Sequence, residues 1–302
     1  MKNKLKIVFA SIGIIAVSAC TTTGNGETHK KGKVEFLIEE SFKPLFETSI
    51  DTFEGQFPKA SIEASYLAEG EIIEKFYTGK YKAICISREL TKKEIADLKK
   101  KQIEVRSDKI AVEGVALIVN PANQDSLITV DELKRILTGK DTVWPQLKTK
   151  INVVFDQENS ANFYYLKELC NLKKLPVNVF AVNGNEEVIN YVKKNKSALG
   201  IIGVNWISDA DDFDALAFLD GITVMSVSVD GKKDYYKPYA GYLYSQDYAL
   251  SREIWMINYG SKSGLHAGFV NFMVGEKGQL IVSKSALVPA KAPVRLIQLQ
   301  EE

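Results

Sequence analysis

The chain has 302 residues, a formal charge of +1, and 45% hydrophobic and 25% charged residues. That near-neutral balance excludes the broad electropositive surface nucleic acid requires. Three cysteines and two histidines leave no Cys/His cluster for a zinc site or for a Ser-His or Cys-His nucleophile.

Lys2, Lys4 and Lys6 precede an apolar run from Ile7 to Val17, and Val17-Ser18-Ala19-Cys20 follows. This is the order of a secretory signal, too short for a permanent membrane span. With its cysteine at the small-residue site it resembles a bacterial lipobox, which implies cleavage after residue 19 and lipidation of Cys20. Thr21 to Lys33 is polar, lacks apolar periodicity and reads as a flexible tether. What remains is long enough for two domains of ordinary size.

Beyond the tether, short apolar runs alternate with helical patterns, which points to an α/β fold. Val34 to Ile38 reads as a strand. Pro44 to Phe57 reads as a helix, with Leu45, Phe46, Ser49, Ile50 and Phe53 at helical spacing. A strand over Ser61–Tyr66, a helix over Glu71–Tyr77 and a buried strand over Ala83–Ser87 follow. Thr91 with Glu94 three residues on marks a capping box. The longest apolar strand is Ile110–Asn120. A helix from Thr129 to Leu137 is stopped by Gly139. Further expectations are strands over Ile151–Phe155, Ala198–Val204, Val224–Val229, Tyr239–Tyr244 and Ile254–Asn258, and helices over Ser160–Cys170, Asn185–Asn195 and Leu265–Ser283. Cys85 and Cys170 sit in apolar settings, as small buried hydrophobes or as a disulfide pair. The lysines at 92–93, 99–101 and 193–194 read as solvated surface. No internal repeat is visible.

Three segments together carry a resemblance: IAVEGVALIVNP (110–121), ITVDELKRILTG (128–139) with Trp144 beyond it, and GFVNFMVGEKGQ (268–279) with Val288-Pro289 after it. In order and over roughly Val34 to Pro289, they resemble the phosphate-binding proteins of ABC importers. The resemblance implies the type II periplasmic-binding-protein fold, two α/β lobes with a hinge and a central cleft. It divides the chain into a signal peptide (1–19), a lipidated Cys20 with its tether (20–33), lobe one (34–119 plus 230–302) and lobe two (120–229). It implies a monomer outside the cytoplasm, anchored to the membrane by lipid and facing the periplasm or exterior. Its partners would be a small oxyanion such as phosphate and a membrane-embedded permease. It implies neither an enzyme, a cofactor, a metal nor a nucleic-acid partner.

In that family, hydroxyls and backbone N–H groups at helix N-termini hold the oxyanion, because orphan amides and the macrodipole favour negative charge there. The resemblance places Ser41 and the N–H of Phe42 in the first anion loop, although Ser41 also suits a helix N-cap. Glu69 falls in the second loop, either facing the ligand or capping the next helix. Ser87 and Arg88 close the third strand. Arg88 could clamp an oxyanion with its fork of donors, or pair with Glu89 or Glu94. Asn159, Ser160 and Asn162 form the fourth loop, where Asp156 stands in place of the family's arginine. The turns at Ser41 and Ser160 are therefore expected to meet in one water-excluded pocket. Asp156, Glu158 and Glu69 leave open a less anionic solute on the same fold. Tyr235, Tyr236, Tyr239, Tyr242 and Tyr244 leave open a surface interaction role. An acid–base pair at Asp156 and Glu158 is weakly supported.

Overall fold

The computed structural model describes residues 26–171 and 176–291. The expected signal peptide and lipidated Cys20 lie outside them.

In chain order the elements are β1 (Lys31–Glu39), a 3-10 turn (Glu40–Phe42), α1 (Lys43–Gln56), β2 (Lys59–Leu67), α2 (Glu69–Phe76), β3 (Ala83–Ile86), α3 (Lys92–Lys100) and β4 (Val105–Val119). Then come β5 (Leu127–Thr129), α4 (Val130–Leu137), β6 (Asn152–Phe155), α5 (Ala161–Leu169), β7 (Val179–Ala181), α6 (Asn185–Lys194) and β8 (Ala198–Gly203). The rest are a 3-10 turn (Val204–Trp206), α7 (Phe213–Leu219), β9 (Thr223–Val224), β10 (Ser226–Ser228), α8 (Ala240–Tyr244), β11 (Ser251–Tyr259), α9 (Leu265–Val274), α10 (Glu276–Lys284) and β12 (Val288–Pro289).

The main sheet runs β2-β1-β3-β11-β4-β8-β6-β7, with β9 and β12 also on β4. The fifteen-residue β4 joins two half-sheets. From Val105 to Gly114 it pairs antiparallel with β11, and from Val115 to Val119 with β8. Within the first half β1, β2 and β3 are parallel; within the second, β6, β7 and β8 are. Parallel strands bring their C-terminal ends to one edge, where open α/β sheets bind ligands. The loops after β1, β2, β3, β6 and β8 all issue there. One apolar cluster covers both halves, from Phe36, Phe46 and Phe269 to Val154, Val188 and Trp206. Phe269 meets the Phe36 and Phe53 rings edge-on, each with centroids 5.3 Å apart.

Most expected elements are present, including the five buried residues of α1 and the reciprocal Thr91/Glu94 capping box of α3. Four departures have physical causes. Lys31–Lys33, expected in the tether, already run in β1 beside Lys59–Ser61, and Glu27 Oε1 accepts the Leu265 N–H at 2.9 Å. Tyr239–Tyr244 is not a strand: Ala240–Tyr244 is a helix that buries Leu243 and leaves Tyr239, Tyr242 and Tyr244 exposed. A single apolar anchor decides its conformation against aromatic β-propensity. The expected helix over Leu265–Ser283 is two, broken where Gly275 adopts an extended conformation. The second turns back so closely that a Cβ on Gly278 would lie 2.4 Å from the Met273 Cα. The expected strand Val224–Val229 divides into β9 and β10, on different sheets. The short β7 and α7 had no expectation. Cys85 and Cys170 are both free thiols.

Candidate functional site

At the C-terminal edge the expected residues fall into two groups. The deep one lies where the two half-sheets meet. Ser41, Asp156, Ser160, Asn162 and Asn185 are fully buried there, together with Glu39. Ser160 serves as N-cap of α5, accepting the Phe163 N–H at 3.1 Å and donating its hydroxyl proton to Asp156 Oδ1 at 2.6 Å. Asn162 Nδ2 donates to Asp156 Oδ2 at 3.1 Å and reaches Ser41 Oγ at 3.5 Å. Ser41 Oγ lies 3.4 Å from Asp156 Oδ2. Asp156, standing where the resemblance expects an arginine, thus gathers the hydroxyls and amides from both halves.

The turns at Ser41 and Ser160 converge, and what they converge on is the Glu39 carboxylate. Its Oε2 accepts the Ser41 N–H at 2.8 Å and its Oε1 accepts the Ala161 N–H at 3.0 Å, at the mouth of α5. Beside it, Glu40 accepts the backbone and side-chain amides of Asn185, whose Oδ1 accepts the Gly203 N–H at 3.0 Å. Burial raises all three carboxyls above their ordinary range. For Glu39 and Glu40 the Asp156 charge adds to the effect, and Glu40 rises to about 7.

The cation of this group is Arg252, from β11. Its Nε donates to Glu113 Oε1 at 2.8 Å, Nη2 lies 2.6 Å from the same oxygen, and Nη1 has no hydrogen-bond partner among the described residues. The guanidinium lies over the Phe42 ring, 5.2 Å from its centroid. Asn205 Nδ2 joins Glu113 to the backbone carbonyl of Ser41.

The outer group stays within the first half. Glu69 is fully buried in the first turn of α2 and accepts the Ser87 N–H at 2.8 Å and the Ser87 hydroxyl at 2.5 Å. Arg88 Nε lies 3.2 Å from Glu69 Oε1, and its terminal nitrogens pair in a fork with Glu94 at 2.8 and 2.9 Å. The donors of Arg88 are therefore turned to its own half, and Glu69 serves Ser87 and Arg88. Between the groups Asn159 has φ of 63°, and its carbonyl accepts the Gly70 N–H at 2.9 Å. A Cβ at Gly70 would lie 2.8 Å from the Tyr164 hydroxyl and 2.9 Å from Asn159 Cβ, so only glycine permits this approach. An open cleft of about 600 Å³ is lined by Gly70, Arg88, Glu158, Asn159 and Tyr164 and by none of the deep-group residues. A separate groove beside α4, about 390 Å³, contains none of the convergent residues.

A PBP superfamily domain matches residues 23–277. The chain belongs to the PBP superfamily. Among relatives, the phosphate-binding protein PstS of Staphylococcus aureus is 24% identical over 270 residues, 85% of this chain and 78% of its own length. A Clostridium perfringens protein assigned as a phosphate ABC transporter substrate-binding protein, solved with bound phosphate, is 25% identical. It superposes with a TM-score of 0.71 over 86% of this chain and all of its own. An ABC-type phosphate transport receptor from Vibrio cholerae has the same fold, with a TM-score of 0.64 at 19% identity over 85% of this chain and all of that one. Type II periplasmic-binding-protein topology thus accounts for the two half-sheets meeting at a common edge. No helix among the described residues is long and apolar enough to cross a membrane.

Glu39, Glu113, Asn185, Asn205 and Arg252 escaped the sequence reading. A signal existed for two of them: Glu113 interrupts the apolar run from Ile110 to Val119, and Arg252 occupies an inward position in β11, whose burial alternates. A charge in such a place demands a buried partner of opposite sign. Glu39 follows the apolar run Val34–Ile38, and nothing in its sequence neighbours requires its burial.

Proposed function

We propose that this PBP-superfamily chain is an extracytoplasmic solute-binding protein that captures an oxyanion, phosphate first among them, for an ABC importer permease. In this reading it is a monomer tethered by lipid at Cys20, with lobe one starting at β1 and formed by 31–119 plus 230–302, and lobe two by 120–229. Ser41, Ser160 and Asn162, with the N–H groups of Ser41, Phe42 and Ala161, hold the ligand. The observation that carries it is the convergence of the Ser41 and Ala161 N–H groups, from different half-sheets, on one buried carboxylate. Two amides and a helix N-terminus aimed at one point are built for an anion. The importer link comes from the likeness to phosphate transport receptors.

Melting curves with phosphate, sulfate, molybdate and neutral solutes test this. At a hundred times its dissociation constant a true ligand stabilises by about 2.7 kcal/mol. A shift with phosphate and not sulfate supports the reading, and no oxyanion shift overturns it.

One observation favours a second reading, a less anionic polar solute on the same fold. Glu39, Glu40 and Asp156 crowd the point where an oxyanion would add charge. A shift with a neutral or cationic solute alone selects it.

A further inference from the structure

We propose that Glu39 is an intramolecular ligand: its carboxylate occupies the oxyanion position between the two half-sheets, so that a solute enters only by displacing it. This rests on the capture reading and deepens it.

Three observations converge. The Oε2 contact to the Ser41 N–H is local, two residues away, and would suit an ordinary turn. The Oε1 contact to the Ala161 N–H is not local; it spans 122 positions and fixes the other half-sheet to the first. A planar carboxylate with both oxygens accepting backbone N–H groups, one at a helix N-terminus, has the valence of a bound oxyanion. The charge count points the same way. Glu39, Asp156 and Glu113 are fully buried, the partly exposed Glu40 lies beside them with Lys43 nearby, and the buried guanidinium among them, Arg252, already pairs with Glu113. A second anion beside an ionised Glu39 would add repulsion where little water screens it, whereas exchanging the carboxylate for a monoanion such as dihydrogen phosphate or acetate conserves charge. Glu39 leaves by rotating its side chain, with the β1 backbone held by β2 throughout.

Chemical rescue of the full chain tests the idea. Glu39→Ala should melt below the wild type in an anion-free buffer, because the bridge between half-sheets is gone. Acetate or phosphate should then raise its melting temperature far more than they raise that of the wild type. Its apparent phosphate affinity should exceed the wild type's by about tenfold or more, the equivalent of losing one charge-assisted hydrogen bond to the competitor. Glu39→Gln fills the same space and should gain neither effect. The inference is overturned if neither anion stabilises Glu39→Ala beyond the wild type, or if Glu39→Gln is rescued equally. Rescue by acetate without any response to phosphate keeps the intramolecular ligand and removes the phosphate reading. Should Glu39→Ala fail to fold alone, refolding yield with and without acetate or phosphate gives the same readout, and an unchanged yield overturns the proposal.

Discussion

The two polar groups at the sheet edge use the same chemical parts, carboxylate, serine hydroxyl and arginine, and reach opposite results. In the outer group Glu69, Ser87, Arg88 and Glu94 come from one half-sheet, and the side chain of Arg88 keeps 38% of its surface exposed while it serves two glutamates. In the deep group Glu39, Glu40, Ser41, Asp156 and Ser160 come from both halves, and Arg252 is buried against Glu113 with acids outnumbering it. The outer group shares one half-exposed guanidinium between two glutamates of the same half, one of them buried; the deep group carries an unbalanced buried charge that only a fixed arrangement of amides and protons tolerates. Unbalanced, water-excluded chemistry is what a ligand can perturb. On the capture reading proposed above, the deep group is the place where solute and structure compete.

The contrast breaks most visibly at the arginines. Arg252→Ala leaves Glu113 buried without its cation and the Phe42 ring without its guanidinium neighbour. Removing one partner of a buried ion pair costs about 3–5 kcal/mol. Urea unfolding should show a loss of that size; a change below 1 kcal/mol would mean that water reaches Glu113. Titration gives the next largest effect. Glu40, raised to about 7 by burial and then by Asp156, contributes stability that is fully present below the ordinary carboxyl range and is lost as pH rises through about 7. The size follows from the shift and is about 3 kcal/mol at most. Glu40→Gln should remove it, so the melting temperature of the variant relative to wild type should climb between pH 4.5 and 8. A constant difference across that range would place Glu40 in solvent.

The sequence made the scaffold legible because scaffold is periodic. The apolar stripe of α1, the capping box at Thr91, the helix start at Thr129 and the continuous run of β4 each depend on neighbours in the chain. The helix mouth at Ser160 was legible for the same reason, since an N-cap is a local device. The meeting of the Ser41 and Ser160 turns followed from the family resemblance, but the charged partners met across the chain stayed hidden. Ala161 meets Glu39 over 122 positions, and Arg252 meets Glu113 over 139. The orientation of Arg88 was undecided because Glu94 and a ligand offer the same bidentate acceptor, and only the fold brings Glu69 to its Nε. The tyrosines at 239–244 misled because intrinsic preference is weak where a segment buries a single side chain.

Ser160 links the two groups of arguments, since it is both cap and proton donor. Ser160→Ala removes the acceptor for the Phe163 N–H and one donor from Asp156. Its expected cost is about 1–2 kcal/mol, in the range of a lost cap with a lost hydrogen bond. The same variant should lose the phosphate-induced melting shift. If stability falls while the shift persists, Ser160 is a cap alone.

The smallest effect is the most discriminating for the outer group. Arg88→Ala takes a half-exposed guanidinium from Glu94 and from one oxygen of Glu69, while Ser87 still donates its N–H and hydroxyl to the other oxygen. Pairs of this exposure contribute about 0–1 kcal/mol, so the unfolding midpoint should move little. Because its donors are already committed within one half-sheet, the phosphate response of Arg88→Ala should equal that of the wild type. A lost response with unchanged stability would mean that Arg88 leaves Glu94 when solute arrives. The outer group would then supply the cation that Asp156 does not, and the two groups would act as one site.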